Sequence, residues 1–552
     1  MAQEYSQMPV VTLYLDRLQK LVGRTTKTKI IDALPFLGLD IEEQTNEFIR
    51  VEYSPNRPDY ATDVGISYGL QGLLGIKKGI VKLSIKKPAE KNLTIRTNPG
   101  LKKIRPYVLG LIAKNGNLDD EIIRQIIALQ EDLHFGVGRK RKKASIGIHD
   151  LDNISLPLSY TLKPREHKFV PLLMKNEMTV SQILDETDTG KEYSSLLTDI
   201  KTVPMILDQK QNTISFPPII NSSLTSVSTK TRNLLVEVTG NEFEAVADTL
   251  AVIGITLQGL GFTLYDIKTD SRSSADSLKD RIISLEPNLV NQTLGIMLSA
   301  ENICKMLKKC RLNATIKSKK ILCKIPSYRF DILGPMDLVE EVALGYGIQN
   351  ISTTLPPSTS IGQKSQTTQK LDELTQIMIG LGYTEALNSS LTNRQTLYDN
   401  TKRDPSKLIE VVESKSQEHT VLRDSILPGL LENLSTNIHE SYPQKLFETG
   451  IIFTNDSPIK ESISLACVSA HKESAYTEIK SILQSLLKTD ANIECQTKTS
   501  TDPMLAKGKT ADILVNGKKV GIIGEIDPQV IDNFKIRVPV SGFELVLSEF
   551  IV

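Results

Sequence analysis

Apolar residues alternate or recur at helical spacing along most of the chain, and two polar stretches interrupt them. Residues 9–76 combine a strand-like PVVTLYL, an amphipathic helix and the helical DVGISYGLQGLLGI. Between residues 106 and 265, RPYVLGLIA predicts a strand and DDEIIRQIIALQEDLHF a helix. The stretches KTDSRSSADSLKD (268–280) and TTLPPSTSIGQKSQTTQ (353–369) are rich in polar residues and predict linkers.

These patterns predict several domains rather than one. A chain of 552 residues is too long for a single core, so three or four domains are expected. A lysine-rich segment, roughly 77–105, predicts an exposed connection with short strands. The predicted fold class is α+β and multidomain. The predicted domains are residues 1–85, 86–267, 275–352 and 365–552.

One pattern occurs twice in the chain. VEYSPNRPDY leads into a helix ending in LGI, and CKIPSYRFDI leads into a helix ending in YGI. Both contain proline and then Arg-x-Asp, at Arg57–Asp59 in the first copy (residues 9–76) and at Arg329–Asp331 in the second copy (residues 281–350). Distant copies do not make a solenoid, whose repeats are contiguous. They predict one small domain used twice, with chance similarity as the alternative.

Composition narrows the class of protein. The chain has 66 basic and 65 acidic residues, so nucleic acid could be held only by local patches of charge. Five cysteines without C-x-x-C spacing predict reduced thiols and no zinc site. The amino terminus lacks a signal-peptide layout, and no apolar run reaches the ~18 residues that a membrane span needs. We therefore expect a soluble, cytoplasmic protein without a membrane partner.

The second copy holds four acidic residues that can converge. A helix beginning at Asp337 places Glu340 and Glu341 on the same face, and Asp331 can approach from the preceding strand end. Such charges repel one another unless a metal cation or a basic partner lies among them. Oxygen ligands suit a hard ion, and magnesium is the usual one inside cells. A solvated acidic helix N-terminus, favoured by the helix dipole, is the other interpretation.

The first copy serves as an internal control for this acidic cluster. It keeps Asp59 and Asp63, but it has Ile66 and Ser67 where further carboxylates would extend the cluster. Any function of the cluster is therefore expected in the second copy only.

A basic run follows the helix at residues 119–135. Its five consecutive cations form a plausible phosphate-contacting loop, with a solvated loop or nuclear targeting as alternatives. His134 and His149 flank the run, and we expect both to be structural, because a lone histidine is more often structural than catalytic. The run comprises Arg139, Lys140, Arg141, Lys142 and Lys143.

The segment SFPPIINS (215–222), together with LLVEVTG (234–240), offers polar side chains on stiff backbone. Asn221 and Ser222 follow two prolines, and a strand over 234–240 would direct Glu237 and Thr239 to one side. This pattern is typical of a pocket wall and equally of an ordinary half-exposed strand. No P-loop, Rossmann glycine pattern, H-E-x-x-H, nucleophile elbow or kinase motif is present, so no self-sufficient active site is recognisable.

Taken together, these stretches resemble the β subunit of phenylalanyl-tRNA synthetase of the archaeal/eukaryotic type. The resemblance extends over essentially the whole chain, and the chain has no room for the additional domains of the bacterial form. The stretches IPSYRFDILGPMDLVEEVALGYG and ISFPPIINSSLT are the most specific. The others are SPNRPDY with its helix, GRKRKKASIGIHDLD, and VLRDSILPGLLENLSTN with LFETG.

The resemblance implies an assembly of two α and two β chains. The α chain would bind ATP and phenylalanine and charge the phenylalanine tRNA. Residues 365–552 would be a degenerate class II synthetase-like domain, an antiparallel sheet with helices, in which Arg423 lies where an arginine would contact ATP. SGFELVLSEF lacks the arginine of a working third motif, so a supporting role is expected for this domain.

The resemblance also implies sites in this chain. Residues 275–352 would form a B5-type domain with magnesium at Asp331, Asp337, Glu340 and Glu341. Residues 86–267 would form a B3/B4-type editing domain that hydrolyses tyrosine wrongly attached to the phenylalanine tRNA. The candidates for its pocket are Ser215, Asn221, Glu237 and Thr239, and those for its contact with the tRNA are Arg139, Lys140, Arg141, Lys142 and Lys143.

Two alternatives belong to other functional classes. The chain could be a tRNA-binding scaffold that has lost editing, which deacylation of mischarged tRNA would exclude. It could also be a stand-alone metal-dependent hydrolase built on the acidic cluster. The absence of a nearby nucleophile or base in the sequence argues against this second alternative.

Overall fold

The computed structural model describes residues 9–88, 93–198, 200–270, 272–355, 361–412, 414, 416–491 and 493–549, and all structural statements refer to these residues. The chain forms two compact units, which divide after Leu355. Helices and several separate sheets make a mixed α/β, multidomain fold.

The first copy is a small antiparallel sheet packed on helices. Strand order is β1-β3-β2, and Ile49 and Val51 of the central strand are fully buried. Thr26 and Thr62 cap the second and third helices by accepting backbone N–H groups. The elements are β1 (Val10–Tyr14), α1 (Leu15–Val22), α2 (Lys27–Ala33), β2 (Asp40–Gln44), β3 (Phe48–Glu52) and α3 (Asp63–Leu73).

The central part contains two larger sheets and a short pair. Its helices are α4 (Asp120–Phe135), α5 (Val180–Glu186), α6 (Asp188–Tyr193) and α7 (Phe243–Gly259). Its strands are β4 (Ile85–Lys86), β5 (Thr94–Thr97), β6 (Tyr107–Lys114), β7 (Ala144–Asp150), β8 (Leu158–Pro164), β9 (Lys168–Phe169), β10 (Met178–Thr179), β11 (Thr202–Leu207), β12 (Thr213–Phe216), β13 (Ile220–Asn221), β14 (Leu234–Gly240), β15 (Thr263–Asp266), β16 (Lys268–Thr269) and β17 (Arg272–Ser273).

The strand β14 is buried on both faces. The sheets have the orders β4-β15-β6-β14-β7 and β13-β12-β11-β8-β5-β16-β17. Val236 and Val238 pack in the core under α4 and α7, whereas Leu235 packs in the core toward the other sheet. Because side chains alternate along a strand, Glu237 and Thr239 lie on the same face of β14 as Leu235, which is the face toward the other sheet.

The predicted linker at 268–280 is wrong, because this segment completes a sheet. Strand β16 pairs with β5 and with β17. Ser274 is fully buried, and its hydroxyl accepts a hydrogen bond from the Gly110 backbone N–H at 3.1 Å. The segment was predicted to be a linker because it is rich in polar residues. At least one of these residues, Ser274, instead forms a hydrogen bond with a backbone group of the sheet.

The second copy repeats the first, element by element. Its sheet has the order β18-β20-β19, with both pairs antiparallel, as in β1-β3-β2. Each copy runs strand, helix, helix, strand, strand, helix. The elements are β18 (Arg281–Leu285), α8 (Pro287–Leu294), α9 (Ala300–Lys309), β19 (Asn313–Lys317), β20 (Lys320–Ile325) and α10 (Pro335–Tyr346).

The C-terminal unit is built on a long sheet with the order β21-β25-β26-β30-β29-β28-β27, in which only β21 and β25 are parallel among the described strands. A smaller sheet has the order β22-β24-β23. The elements are α11 (Gln366–Gly380), β21 (Thr384–Glu385), β22 (Leu391–Thr392), β23 (Ile409–Glu410), β24 (Val421–Leu422), α12 (Leu427–Thr436), β25 (Gln444–Thr454), β26 (Lys460–Ala470), α13 (Tyr476–Ala491), β27 (Gln496–Thr499), β28 (Leu505–Val515), β29 (Lys518–Ile526), α14 (Pro528–Asn533) and β30 (Val540–Val546).

Candidate functional site

A cavity of about 460 Å³ lies beside β7, which is the edge strand of its sheet. This volume is typical of a pocket for a small organic ligand. Its lining includes the exposed side chains of Ile127 and Leu173, which are 55% and 92% accessible, and the buried side chain of Glu237. The cavity therefore extends from an apolar rim to a buried floor.

Three of the four predicted pocket residues line this cavity: Ser215, Asn221 and Glu237. Strands β12 and β13 pair Ser215 with Asn221, and the Ser215 hydroxyl donates to Asn221 Oδ1 at 3.2 Å. Phe216 and Ile219 add apolar walls beside these polar groups. The hairpin thus combines hydrogen-bonding groups with an apolar slot.

Thr239 lies outside the cavity lining and contacts Arg105 instead. The Arg105 guanidinium donates to the Thr239 hydroxyl at 3.0 Å, to the Thr239 carbonyl at 2.7 Å and to the Arg141 carbonyl at 3.2 Å. Burial lowers the pKa of Arg105 to about 10, so the side chain remains a cation at neutral pH. Arg105 therefore fastens the backbone of the basic run to β14.

Glu237, which lines the cavity, and His149, which lies outside its lining, form a buried polar pair. They are 2% and 0% exposed, and His149 Nε2 lies 3.8 Å from Glu237 Oε1. His149 Nδ1 lies 2.8 Å from the Thr225 hydroxyl, which also lines the cavity. Neither His149 Nε2 nor Glu237 Oε2 has a hydrogen-bond partner within the described residues.

The basic run forms a tight turn of unusual backbone conformation. Arg139, Lys140 and Arg141 have φ angles of 48°, 52° and 63°, so three consecutive non-glycine residues occupy the left-handed region. Arg139, Lys140 and Lys142 are exposed, whereas Lys143 pairs with Glu242 at 2.8 Å. The turn thus presents most of its cations to solvent.

Arg141 is the exception within the turn, since its side chain is directed inward. Its guanidinium donates to the Ile219 carbonyl at 2.8 Å, contacts Glu131 at 3.1 Å and lies 4.4 Å from the centre of the Tyr193 ring. It also lines the cavity. Arg141 therefore links the basic turn to the proline-containing wall of the cavity.

The acidic cluster of the second copy is organised around an arginine. The Arg329 guanidinium donates to both oxygens of Asp331, at 2.8 Å each, and pairs with Glu341. Burial alone would raise the pKa of Asp331, but the adjacent guanidinium holds it below its usual value. The basic partner that the cluster requires is thus supplied by the chain itself.

The other two carboxylates of the cluster have different environments. Asp337 accepts hydrogen bonds from the Leu333 and Gly334 N–H groups at 2.7 Å each and caps α10, while Glu340 is exposed. In the described part of the chain, no three His, Cys, Asp or Glu side chains are grouped to hold a metal. The four predicted ligands do not fit one shared ion in this arrangement.

The first copy repeats this pairing and contacts the second. Arg57 donates to both oxygens of Asp59, at 2.9 Å each, and its Nη1 lies 3.9 Å from Glu341 Oε1. Gly72 of α3 packs so closely on the Lys309 carbonyl that a side chain would clash there. The two Arg-x-Asp motifs therefore meet at one interface inside the N-terminal unit.

In the C-terminal unit, Arg423 lines a second cavity of about 390 Å³. Its Nη1 pairs with the fully buried Glu448 at 2.5 Å, and its Nε donates to the Ile451 carbonyl at 3.0 Å. Both of these partners belong to the C-terminal unit. The guanidinium of Arg423, which was predicted to contact ATP, is therefore already paired with a carboxylate of the same unit.

Sequence reasoning missed the anchoring roles of Arg105 and Arg141, because both depend on contacts with segments distant in the chain. A signal for Thr225 was present, since it follows the SFPPIINS stretch by a few residues. The pairing of His149 with Glu237 could have been expected only if β7 and β14 had been predicted to be neighbours.

Two family models match the chain. "Phenylalanyl tRNA synthetase beta chain CLM domain" matches residues 351–547, and "tRNA synthetase B5 domain" matches residues 283–348. Both describe parts of tRNA synthetases, and the matched segments extend from the second copy to the end of the C-terminal unit.

Relatives of similar length share more than a third of their residues with this chain. The phenylalanine–tRNA ligase beta subunit of Archaeoglobus fulgidus is 38% identical over 98% of this chain and 99% of its own length. That of Methanosarcina barkeri is 36% identical over 99% of each. The chain belongs to the family of phenylalanine–tRNA ligase beta subunits.

A solved structure extends the comparison to the fold. An N-terminal fragment of the phenylalanyl-tRNA synthetase beta subunit from Pyrococcus horikoshii superposes with a TM-score of 0.57 and 30% identity. The match covers 61% of this chain and 99% of the fragment. None of the described helices has the length and apolar character needed to cross a membrane.

Proposed function

We propose that this chain acts in the cytoplasm as the β subunit of a phenylalanine–tRNA ligase with two α and two β chains. In this proposal, the α chain binds ATP and phenylalanine and charges the tRNA, and this chain supports that reaction. Full-length similarity to beta subunits supports the assignment. The pairing of Arg423 with Glu448 supports a class II-like domain without its own ATP chemistry.

We further propose that the N-terminal unit hydrolyses tyrosyl-tRNA made in error. The observation that carries this proposal is the cavity beside β7, which combines an apolar slot with buried polar groups. An apolar synthetic pocket rejects an analogue with one extra hydroxyl only about 10²-fold, whereas a site that binds the hydroxyl discriminates far more strongly. A second, polar pocket would therefore remove tyrosine and spare phenylalanine.

In this reaction, water attacks the ester carbon that joins tyrosine to the tRNA ribose, and free tyrosine and tRNA leave. Ser215, Asn221 and Glu237 would surround the amino acid, since they line the cavity. The exposed cations of the basic turn would contact phosphates near the end of the tRNA. Arg141 would hold the cavity wall in place rather than contact the tRNA.

The proposal is tested with the chain alone and with its α partner. Charging of the phenylalanine tRNA should require both chains, and the assembly should deacylate tyrosyl-tRNA much faster than phenylalanyl-tRNA. Charging by the lone chain would refute the supporting role of the C-terminal unit. Charging by the assembly without deacylation would identify the chain as a tRNA-binding scaffold that has lost editing.

Magnesium at the acidic cluster stays a prediction from the sequence. Arg329 neutralises Asp331 and Glu341, so Asp337 and Glu340 are the carboxylates that would remain for a hydrated ion. Metal analysis of the dialysed assembly, before and after Asp337→Asn with Glu340→Gln, measures whether magnesium is held there.

A further inference from the structure

Helix α4 has one side in the wall of the cavity and another side against the first copy. Ile123, Ile127 and Gln130 line the cavity, and their spacing of four and then three residues places them on one side of the helix. Gln125 and Asp132 are seven residues apart, or nearly two turns, so they share a second side. At about 100° for each residue, the second side is roughly opposite the first. The helix therefore connects the first copy to the cavity.

Buried contacts with the first copy lie along this second side of α4. The Tyr53 hydroxyl donates to the Asp132 carboxylate near the end of the helix, and Tyr53 is only 2% exposed. In the middle of the helix, the Gln125 side chain accepts from the backbone N–H of Asp63 at 3.1 Å. Asp63 is the first residue of α3, and a helix has no internal acceptor for its first N–H groups. A side chain of α4 thus supplies the acceptor that α3 lacks.

Arg17 adds a third contact, at the beginning of α4. Its guanidinium pairs with the buried Asp63 and donates at 3.2 Å to Asp119, the residue that caps α4. Asp119 is 57% exposed, and exposed ion pairs contribute little to stability. The two buried hydrogen bonds are therefore the main polar attachment of α4 to the first copy.

The apolar contacts of α4 do not fix its position by themselves. Leu129 and Leu133 are buried in the same core as Val236 and Val238 of β14. Such contacts hold the helix against the sheet, but the hydrophobic effect is non-directional. Hydrogen bonds depend on distance and angle, so the contacts with the first copy determine where along the sheet the helix lies.

We propose, resting on the proposed editing function, that Tyr53, Gln125 and Asp132 are positioning residues for the deacylation of tyrosyl-tRNA. None of the three lines the cavity, and they act by holding the opposite side of α4 in place. The isoleucines on the cavity side can contact the amino acid but carry no group that takes part in the chemistry. Their displacement therefore weakens substrate binding and raises KM, while kcat changes little.

The test uses the assembled enzyme and measures KM and kcat separately for the deacylation of tyrosyl-tRNA. Asp132→Leu should raise KM about fivefold, because the buried Tyr53 hydroxyl loses its acceptor. Asp132→Asn should restore KM, since an amide oxygen accepts the same hydrogen bond. Tyr53→Phe should match Asp132→Leu, and the double variant should be no worse than either, because one contact is lost in all three. Tyr53→Phe, which keeps the ring, serves alone where Asp132→Leu does not fold.

Thr26→Ala is the matched control within the first copy. The Thr26 hydroxyl accepts from the Lys29 N–H at 3.3 Å and caps α2, so its loss weakens the first copy without removing a contact to α4. This variant should lower the thermal unfolding midpoint, as Tyr53→Phe should, but leave KM for deacylation at the wild-type value. All variants should charge phenylalanine normally.

The outcomes separate this inference from the editing function. A rise in KM in Tyr53→Phe and Asp132→Leu that Asp132→Asn reverses supports the positioning role. An unchanged KM, a loss confined to kcat, or an equal rise in KM in Thr26→Ala overturns that role while editing stands. A wild-type assembly that does not deacylate tyrosyl-tRNA refutes the editing function and the inference together.

Discussion

Arg329 shows how one side chain replaces the external cation that a cluster of carboxylates otherwise requires. The side chains of Arg329 and Glu341 are buried, and that of Asp331 is nearly so, at 11% exposed. The partnership holds the pKa of Asp331 below its usual value despite burial. The stability that this low pKa contributes is present above the pKa of the unfolded carboxyl, about 4, and is lost as the pH falls through the folded value.

We therefore expect Arg329→Met to destabilise the N-terminal unit by about 3–5 kcal/mol at neutral pH, because two buried carboxylates lose their cation. The loss should shrink at acidic pH, where the carboxylates are protonated. Urea unfolding measures both effects. Arg50→Ala is the control, since Arg50 and Glu43 are exposed and 3.5 Å apart, and a cost above about 1 kcal/mol there would contradict the distinction.

His134 is a second group whose protonation should change the stability of the fold with pH, and its charged form is a cation, whereas that of Asp331 is an anion. Its Nε2 accepts from the Ile146 N–H at 2.9 Å, so its proton is on Nδ1, which faces Glu131. Burial lowers the pKa of His134, with a smaller contribution from the cation of Arg141 that also lowers it. Because the unfolded chain binds the proton first, the stability from His134 is present above pH ~6.5 and is lost as the pH falls below it.

His134→Gln should flatten this dependence, since an amide oxygen can accept from Ile146 without titrating. The wild type should lose stability relative to the variant between about pH 7 and pH 5, by ~1.4 kcal/mol for each unit by which the histidine pKa is lowered. Unfolding in urea at several pH values measures the difference. Parallel curves for the two proteins would show that the pKa of His134 is the same in the folded and the unfolded chain, which would contradict the effect of burial.

At the scale of elements, the five consecutive cations of the basic turn fall into two groups, one exposed to solvent and one directed into the protein. Its left-handed backbone directs Arg141 toward the cavity wall and leaves Arg139 and Lys142 exposed. Exposed cations that contact phosphates release counterions, whereas a buried arginine does not. The two kinds of residue should therefore differ in the salt dependence of tRNA binding.

Arg139→Gln with Lys142→Gln should weaken tRNA binding, and the slope of log K against log salt should become shallower by roughly 0.9 for each phosphate that the turn no longer neutralises. Arg141→Gln should leave the slope unchanged and instead destabilise the segment around Ile219. Filter binding at several salt concentrations measures the slopes. An unchanged slope in the double variant would remove the turn from the tRNA interface.

Much of the arrangement at this scale could be predicted from the sequence. Apolar alternation indicated β14, and the repeated Arg-x-Asp pattern indicated a domain used twice, for which the structure shows two sheets of equal strand order. The site was less predictable. Thr239 lies two residues after Glu237 on β14, so the sequence pattern predicts both side chains on the same face of the strand. Its partner Arg105, however, lies 134 residues away in sequence, and no local pattern encodes that contact.

The whole molecule divides into two units with separate cores. The proposed hydrolytic cavity lies entirely in the first unit, and the Pyrococcus fragment matches 61% of this chain. A unit with its own core can be expected to fold alone. The sequence predicted a linker at 353–369, part of which lies outside the described residues.

A protein consisting of residues 1–355 should therefore unfold cooperatively and deacylate tyrosyl-tRNA, while it should fail to restore charging when mixed with the α chain. Calorimetry and deacylation assays measure these properties. A folded but inactive fragment, beside an assembly that deacylates tyrosyl-tRNA, would show that deacylation needs groups from the C-terminal unit or the partner.

Gly147 is a position at which a single substitution would disturb the contact between Glu237 and His149. The atoms that a side chain at this position would meet first are the ends of the Glu237 and His149 side chains, which can move, rather than backbone. A single added methyl group would thus separate the polar pair while the strand stayed intact. Under the proposed editing function, one substitution at Gly147 would abolish editing while the subunit stays folded, so a lineage tolerant of mistranslation could lose editing in a single step.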